Sequence, residues 1–213
     1  LSGPSYFAPF RNPQTRRNTM SDPSLWETIA EGQPDNWKVM NVRTVKRRHP
    51  VDGRTSDFTV CDAPSWVNIM PLTKRGTIIL VEQYRHGTNS ITLEIPGGVA
   101  NRGEDLRLAA QRECAEETGF SSNAPAQLLG VIQPNPAFMS NVCNVYVWDD
   151  CELNGLQELD PMEDIVVREI EIKDFFAKIR NGEIQHSLVV SAAALLLLKR
   201  KFNDAFYREE LVA

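Results

Sequence analysis

The sequence predicts an α/β fold, a mixed β-sheet with flanking helices and a small β-rich extension ahead of it. Three observations point there. Candidate strands outnumber candidate helices, so a regular βαβ array does not fit. One segment, Leu106–Thr118, has clear helical character and ends at a glycine. Ser187–Phe202 reads as an apolar helix.

The elements follow in chain order. Pro4, Pro9 and Pro13 interrupt any amphipathic helix near the start, so residues 1–23 are expected to form a loosely attached tail. Ser24–Glu31 reads as a short helix. Trp37–Arg47 reads as a strand, Pro50–Gly53 as a turn and Ser56–Cys61 as the return strand. Residues 24–62 are thus expected to be a β-rich region. Its apolar face can be buried only on the main domain or a second chain.

The main domain, residues 63–213, opens with candidate strands Trp66–Leu72, Thr77–Gln83 and Ile91–Ile95. Pro96-Gly97-Gly98 breaks the pattern before the helix Leu106–Thr118. Leu128–Gln133, Val142–Trp148 and Ile165–Glu171 read as strands, and Ile172–Asn181 as a helix.

Composition bounds the function. With 213 residues, the chain can bury one sizeable core. The net charge of −5 argues against a broadly basic nucleic-acid surface, and a phosphate ligand would need local cations. Cys61, Cys114, Cys143 and Cys151 form no C-x-x-C pair, which suits reduced structural thiols in a cytoplasmic protein. The longest apolar run, Ala192–Leu198, has seven residues, too few to span a bilayer.

The chemistry concentrates between Gly98 and Phe120. Glu113, Glu116 and Glu117 stand at i, i+3 and i+4 and can share one helix face. Leu106 and Ala110 lie in the same angular sector, so two carboxylates sit where the helix should meet protein. Like charges there need compensation, and an all-oxygen set suits Mg²⁺ or Mn²⁺. An exposed acidic face would use the same spacing. Arg112 can orient one carboxylate, pair with Glu104 or point outward. Gly97, Gly98 and Gly103 permit close backbone approach, but the Lys-Ser/Thr of a P-loop is absent.

This stretch resembles the Nudix box: Gly98, five residues, Glu104, seven residues, Arg112-Glu113, an apolar position, any residue, Glu116-Glu117, any residue, Gly119 and an apolar residue. Cys114 stands where an aliphatic residue is usual. The resemblance implies an α/β/α sandwich and attack of metal-activated water on a pyrophosphate. It implies that Glu113, Glu116 and Glu117 hold Mg²⁺, with the Gly97 carbonyl as a further ligand and Glu104 supporting the loop or the metal shell.

Beyond the box, Cys61-Asp62-Ala63-Pro64, Val81–Arg85 and Leu93–Gly98 resemble the ADP-ribose pyrophosphatase branch. That likeness implies a nucleoside-diphosphate-sugar substrate and a homodimer built through residues 24–62. It places Arg85 on the substrate phosphates, with Glu82 joining the metal or supporting Arg85. Pro136 lies 16 residues past Phe120, as in ADP-ribose enzymes, but Pro134-Asn135-Pro136-Ala137 departs from their usual sequence. GDP-mannose or other nucleotide sugars therefore stay open as substrates, as does a non-catalytic nucleotide-binding regulator. Asn135 and Phe138 are candidate substrate contacts, as are Trp37 and Arg54. Glu163 is the expected catalytic base and Glu158 the alternative. A simple solvated acidic loop is the competing reading of that segment. His186 is expected to cap or pack near the last helix.

Overall fold

The computed structural model describes residues 23–200. The tail expected at residues 1–23 lies almost wholly outside them, as does Phe202.

The N-terminal sheet comprises β1 (Glu27–Glu31), β2 (Asp35–Trp37), β3 (Met40–Arg48) and β4 (Thr55–Asp62), with β3 pairing with all three others in antiparallel fashion. Two expectations change here. Part of the helix expected over Ser24–Glu31 is a strand, because Glu27 and Thr28 lie opposite Arg48 and Arg47 on β3. Tertiary pairing overrides a weak local preference. The strand expected over Trp37–Arg47 is split by a turn at Lys38, whose φ is +53°, so Trp37 folds back against Met40.

The main body holds two sheets. One runs in the order β10 (Gln127–Ile132), β11 (Cys143–Trp148), β5 (Trp66–Pro71) and β8 (Gly97–Val99). The β11–β5 pair is parallel and the others antiparallel, so the sheet is mixed. The second runs β13 (Ile165–Glu171), β6 (Thr77–Arg85) and β7 (Ser90–Glu94), all antiparallel. Short strands β9 (Phe120–Ser121) and β12 (Glu152–Leu153) pair beside the first helix. Pro96-Gly97-Gly98 does not simply interrupt the sheet, since Gly97 and Gly98 pair with Asn68 and Val67.

Helix α1 (Leu106–Thr118) covers one face; α2 (Ile172–Arg180) and α3 (Ser187–Lys199) cover the other. Strands β5, β6 and β11 alternate between two cores. Val67, Ile69, Ile79, Tyr146 and Trp148 pack with Ala110 and Cys114 of α1. Met70, Ile78, Leu80, Val145 and Val147 pack with Phe175 of α2 and Leu196 of α3. Strands covered on both sides read as nearly continuous apolar runs, as these do. The architecture is the expected α/β/α sandwich.

Among the described residues all four cysteines are free thiols, and burial pushes those of Cys114, Cys143 and Cys151 far above the ordinary range. No helix among them is long and apolar enough to cross a membrane.

Candidate active site

The site forms where β8 leads into α1. The Asp105 side chain caps the helix, accepting from the backbone N–H groups of Arg107 at 3.0 Å and Leu108 at 3.1 Å. Glu104 tightens the preceding loop by accepting from Asn101 N–H at 2.8 Å and from Arg112 Nε at 2.9 Å. The Arg112 bond and the Asn101 N–H hold the Glu104 carboxyl down at about 2. Gly119 ends α1 in the left-handed conformation, φ +73°, with its N–H on the Ala115 carbonyl at 2.8 Å.

Arg112 is the hub of this corner. It meets Glu104, Glu113 at 3.0 Å and Glu116 at 2.8 Å. The outward-pointing reading of Arg112 is thereby excluded. Glu117 turns inward and is only 4% exposed. One Glu117 oxygen accepts from Gly97 N–H at 3.1 Å. Gly98 lies so close to Glu113 that an added Cβ would press into the carboxylate. At Gly97 a Cβ would press into the Val67 carbonyl across the strand pair. The two glycines thus let β8 approach both the sheet and two acidic side chains.

Burial pushes the Glu117 carboxyl up to about 8. The Gly97 N–H and Arg85 oppose that rise, whereas the charges of Glu113 and Glu163 add to it. Glu113 is also raised, first by burial, although Arg112 counteracts it. Side by side, two such carboxylates are poorly compensated by the protein's own cations. Among the described residues no three acidic, histidine or cysteine side chains converge into a finished metal cage, and Glu116 is held by Arg112. The oxygen donors nevertheless fit a hard divalent cation, which would neutralise the Glu113–Glu117 pair.

The segment after β12 is fastened to the end of α1. Gly119 O accepts from Asn154 N–H and Gly155 N–H, each at 3.0 Å. Glu158 N–H donates to Glu116 O at 2.8 Å. Gln157 Nε2 donates to Glu117 O at 2.8 Å and to Ile165 O at 3.1 Å. The last carbonyls of the helix, which lack partners within it, are satisfied by this loop. Glu163 and Glu158 are both exposed. Glu163 raises the carboxyls of both Glu113 and Glu117 and accepts from Asp160 N–H at 3.0 Å.

Arg85, at the end of β6, lines a cleft of about 700 Å³ that also reaches Gly97, Gly98 and the start of α3. Its guanidinium is gripped by Glu94 through two bonds of 2.7 Å. Glu82 does not support Arg85, because it pairs with Arg168 across β6 and β13 at 2.6 Å. The sequence does not reveal Glu94 as the partner of Arg85. The signal it does carry is an acid in the apolar segment Ile91–Ile95, where a buried charge demands a partner.

The other expected contacts do not line this cleft. Trp37 is 64% exposed at the end of β2. Arg54 pairs with Asp52 in the β3–β4 turn at 2.6 Å. Asn135 uses its side chain in its own turn, accepting from Ala137 N–H at 3.3 Å. Phe138 is exposed, and its carbonyl accepts from Cys61 N–H at 2.7 Å, tying β4 to the main body.

Known proteins resemble this chain over most of its length. The chain is 27% identical over 174 residues to an "ADP-ribose pyrophosphatase" of Bacillus subtilis, covering 81% of this chain and 93% of that protein. It is 29% identical over 154 residues to a "Methanol dehydrogenase activator" of Bacillus methanolicus, covering 70% of this chain and 80% of that protein. A solved "ADP compounds hydrolase" superposes with a TM-score of 0.72 at 22% identity, over 83% of this chain and 94% of that one, which shows the shared fold. The NUDIX domain model matches residues 64–205, spanning β5 to α3 and the whole glutamate helix, and the chain belongs to the Nudix hydrolase family.

Proposed function

We propose that this Nudix hydrolase cleaves the pyrophosphate of ADP-ribose or a related ADP-sugar, giving AMP and a sugar phosphate. One observation carries the reading. The pair of half-buried Glu113 and buried Glu117, packed on Gly98 and Gly97, lies beside a cleft in which Glu94 holds Arg85 ready for phosphate. The names of several relatives, ADP-ribose pyrophosphatases among them, favour the same substrate class.

Glu113, Glu117 and a Glu116 released from Arg112 would hold Mg²⁺ or Mn²⁺, with the Gly97 carbonyl as a further oxygen. When bound, the cation supplies charge neutralisation and a more acidic water. Arg85 draws the diphosphate into the cleft and offsets charge on its oxygens. Glu163 takes a proton from the attacking water. Its loop is pinned to α1, which brings its charge to bear on the glutamate pair. Glu158 is the weaker candidate base, because only its backbone is tied to the helix end.

Residues 24–62 would form a homodimer interface. Trp26, Trp37, Val39 and Phe58 are all more than two-fifths exposed on or beside the N-terminal sheet, which suits burial by a second copy. Trp37 and Arg54 would then serve a pocket completed by the partner, with Asn135 and Phe138 at the junction with the main body. A broader nucleotide-sugar range, GDP-mannose included, is favoured by one point. The Asn135 side chain is spent on its own turn.

A substrate panel with Mg²⁺ and with Mn²⁺ tests the reading. It would compare ADP-ribose, ADP-glucose, GDP-mannose, diadenosine polyphosphates and nucleoside triphosphates. ADP-ribose or ADP-glucose should give the highest kcat/KM. A clear preference for triphosphates, or for GDP-mannose, would overturn it.

A further inference from the structure

We infer that His186, at the start of α3, selects the sugar end of the substrate by hydrogen-bonding a ring hydroxyl; the inference rests on the diphosphatase reading above. The cleft is lined by groups of two chemical kinds. Arg85 and the backbone of Gly97 and Gly98 suit phosphate, and the side chains of Thr88, Ser90, Gln185 and His186 line the same cleft. Hydroxyl, amide and imidazole groups there match a ring carrying several hydroxyls. A flat base would need an open aromatic face. Trp66 reaches the cleft wall but is partly buried against the core that α2 and α3 cover. Tyr84 bonds Asn89 through its hydroxyl and stands edge-on to His86 with ring centroids 5.0 Å apart.

His186 is distinguished by what it does not bond. Its Nδ1 is buried with no hydrogen-bond partner among the described residues. Its Nε2 lies 3.8 Å from Glu94 Oε2, beyond hydrogen-bond reach. It occupies the N-cap position of α3, yet its side chain makes no capping bond. The backbone is nevertheless fixed, because the His186 carbonyl accepts from Val189 N–H at 3.0 Å and Val190 N–H at 3.1 Å. A polar group withheld from water ordinarily has a partner. A ring hydroxyl both donates and accepts, so it satisfies either imidazole tautomer. Rotation about Cβ–Cγ, a soft torsion, can turn a ring nitrogen to the cleft. Glu94 connects the two kinds of group, since it grips Arg85 and lies 3.8 Å from His186 Nε2.

The test compares ADP-ribose with the β-methyl ester of ADP, which has the same scissile linkage and no second ring. His186→Ala should raise KM for ADP-ribose roughly tenfold, the scale of one lost hydrogen bond, and change kcat much less. Constants for the methyl ester should stay put, and His186→Asn should recover part of the loss. Equal damage to both substrates would mean that His186 merely supports Glu94, and would overturn the assignment, as would no change for ADP-ribose.

A second measurement needs no turnover. The chain has 3 histidines, so imidazole proton resonances can be followed while metal-free protein is titrated with ribose 5-phosphate. The resonance lost in His186→Ala should shift in the unsubstituted protein. If it shifts although neither ADP ester is hydrolysed, the diphosphatase reading falls and the subsite stands. If it does not shift, the subsite is overturned whatever the turnover.

Discussion

Arg85, which lies opposite Ser90 on the antiparallel β6–β7 pair, reaches along the sheet to Glu94, which lies opposite Val81, and is joined to it by two bonds of 2.7 Å from Nε and Nη2 to the two carboxylate oxygens. Thr92 donates a third bond to the same carboxylate at 2.5 Å. The Glu94 side chain is 4% exposed and that of Arg85 is 43% exposed, so the arginine is anchored from below with its outer edge open to the cleft. Such a planar, two-point grip fixes orientation as well as charge.

Glu94→Gln should therefore loosen Arg85 and lower kcat/KM for a diphosphate substrate, mainly through KM. Losing a charged bond of this kind costs on the order of 1–3 kcal/mol in stability. Steady-state kinetics and urea unfolding measure the two effects. Turnover and stability both at the unsubstituted level would show that Arg85 does not need the anchor.

The same pair imposes a pH dependence. Burial alone would raise the Glu94 carboxyl, but the Arg85 and Thr92 bonds outweigh it and the pKa lies below its ordinary value of 4.5. Below that value the unfolded chain binds the proton more readily than the folded one. The stabilisation is thus complete above about pH 5 and is lost as pH falls through the folded pKa. Melting temperatures of the unsubstituted protein and Glu94→Gln should differ most near neutrality and converge in acid. A constant gap across that range would contradict the assignment.

Glu117→Gln separates function from stability. Its buried carboxylate is costly without a cation, so the neutral amide should make metal-free protein at least as stable. Turnover should fall by two or more orders of magnitude, roughly what the loss of one transition-state charge contact costs. Mg²⁺ should raise the melting temperature of the unsubstituted protein and do so much less in the variant. Calorimetry with and without Mg²⁺ gives the answer, and near-normal turnover would remove Glu117 from the metal set.

Gly97 and Gly98 should behave differently although they adjoin. Gly98→Ala pushes on the movable Glu113 carboxylate, so activity should drop at least tenfold with little loss of stability. Gly97→Ala pushes on the Val67 backbone, and overpacking of that kind costs about 1–3 kcal/mol. Thermal melts beside activity assays distinguish the two, and equal melting temperatures would refute the contrast.

Gln157 ties the loop carrying Glu163 to Glu117 O and Ile165 O. Gln157→Ala should lower kcat more than it raises KM, and should speed proteolytic nicking between residues 154 and 164. Unchanged kcat together with an intact cleavage pattern would show that other bonds suffice to hold the loop.

Local sequence determined a good deal here. The span Leu106–Thr118, its glycine stop and the i, i+3, i+4 carboxylates follow from helix periodicity, and all appear as expected. Strand β13 likewise has the predicted bounds. These features depend on neighbours within a few residues, so local chemistry suffices. What required the tertiary structure was pairing over distance. Glu27–Glu31 is a strand because β3 lies beside it, and Gly97–Val99 is one because β5 does. The exchange of Arg85's partner from Glu82 to Glu94 is a matter of which side of a strand each residue occupies and what packs there. Glu113 and Glu117 of α1 gained their chemical character the same way. Spacing put them on one face, but only the sheet and β8 folding over that face removed most of their water.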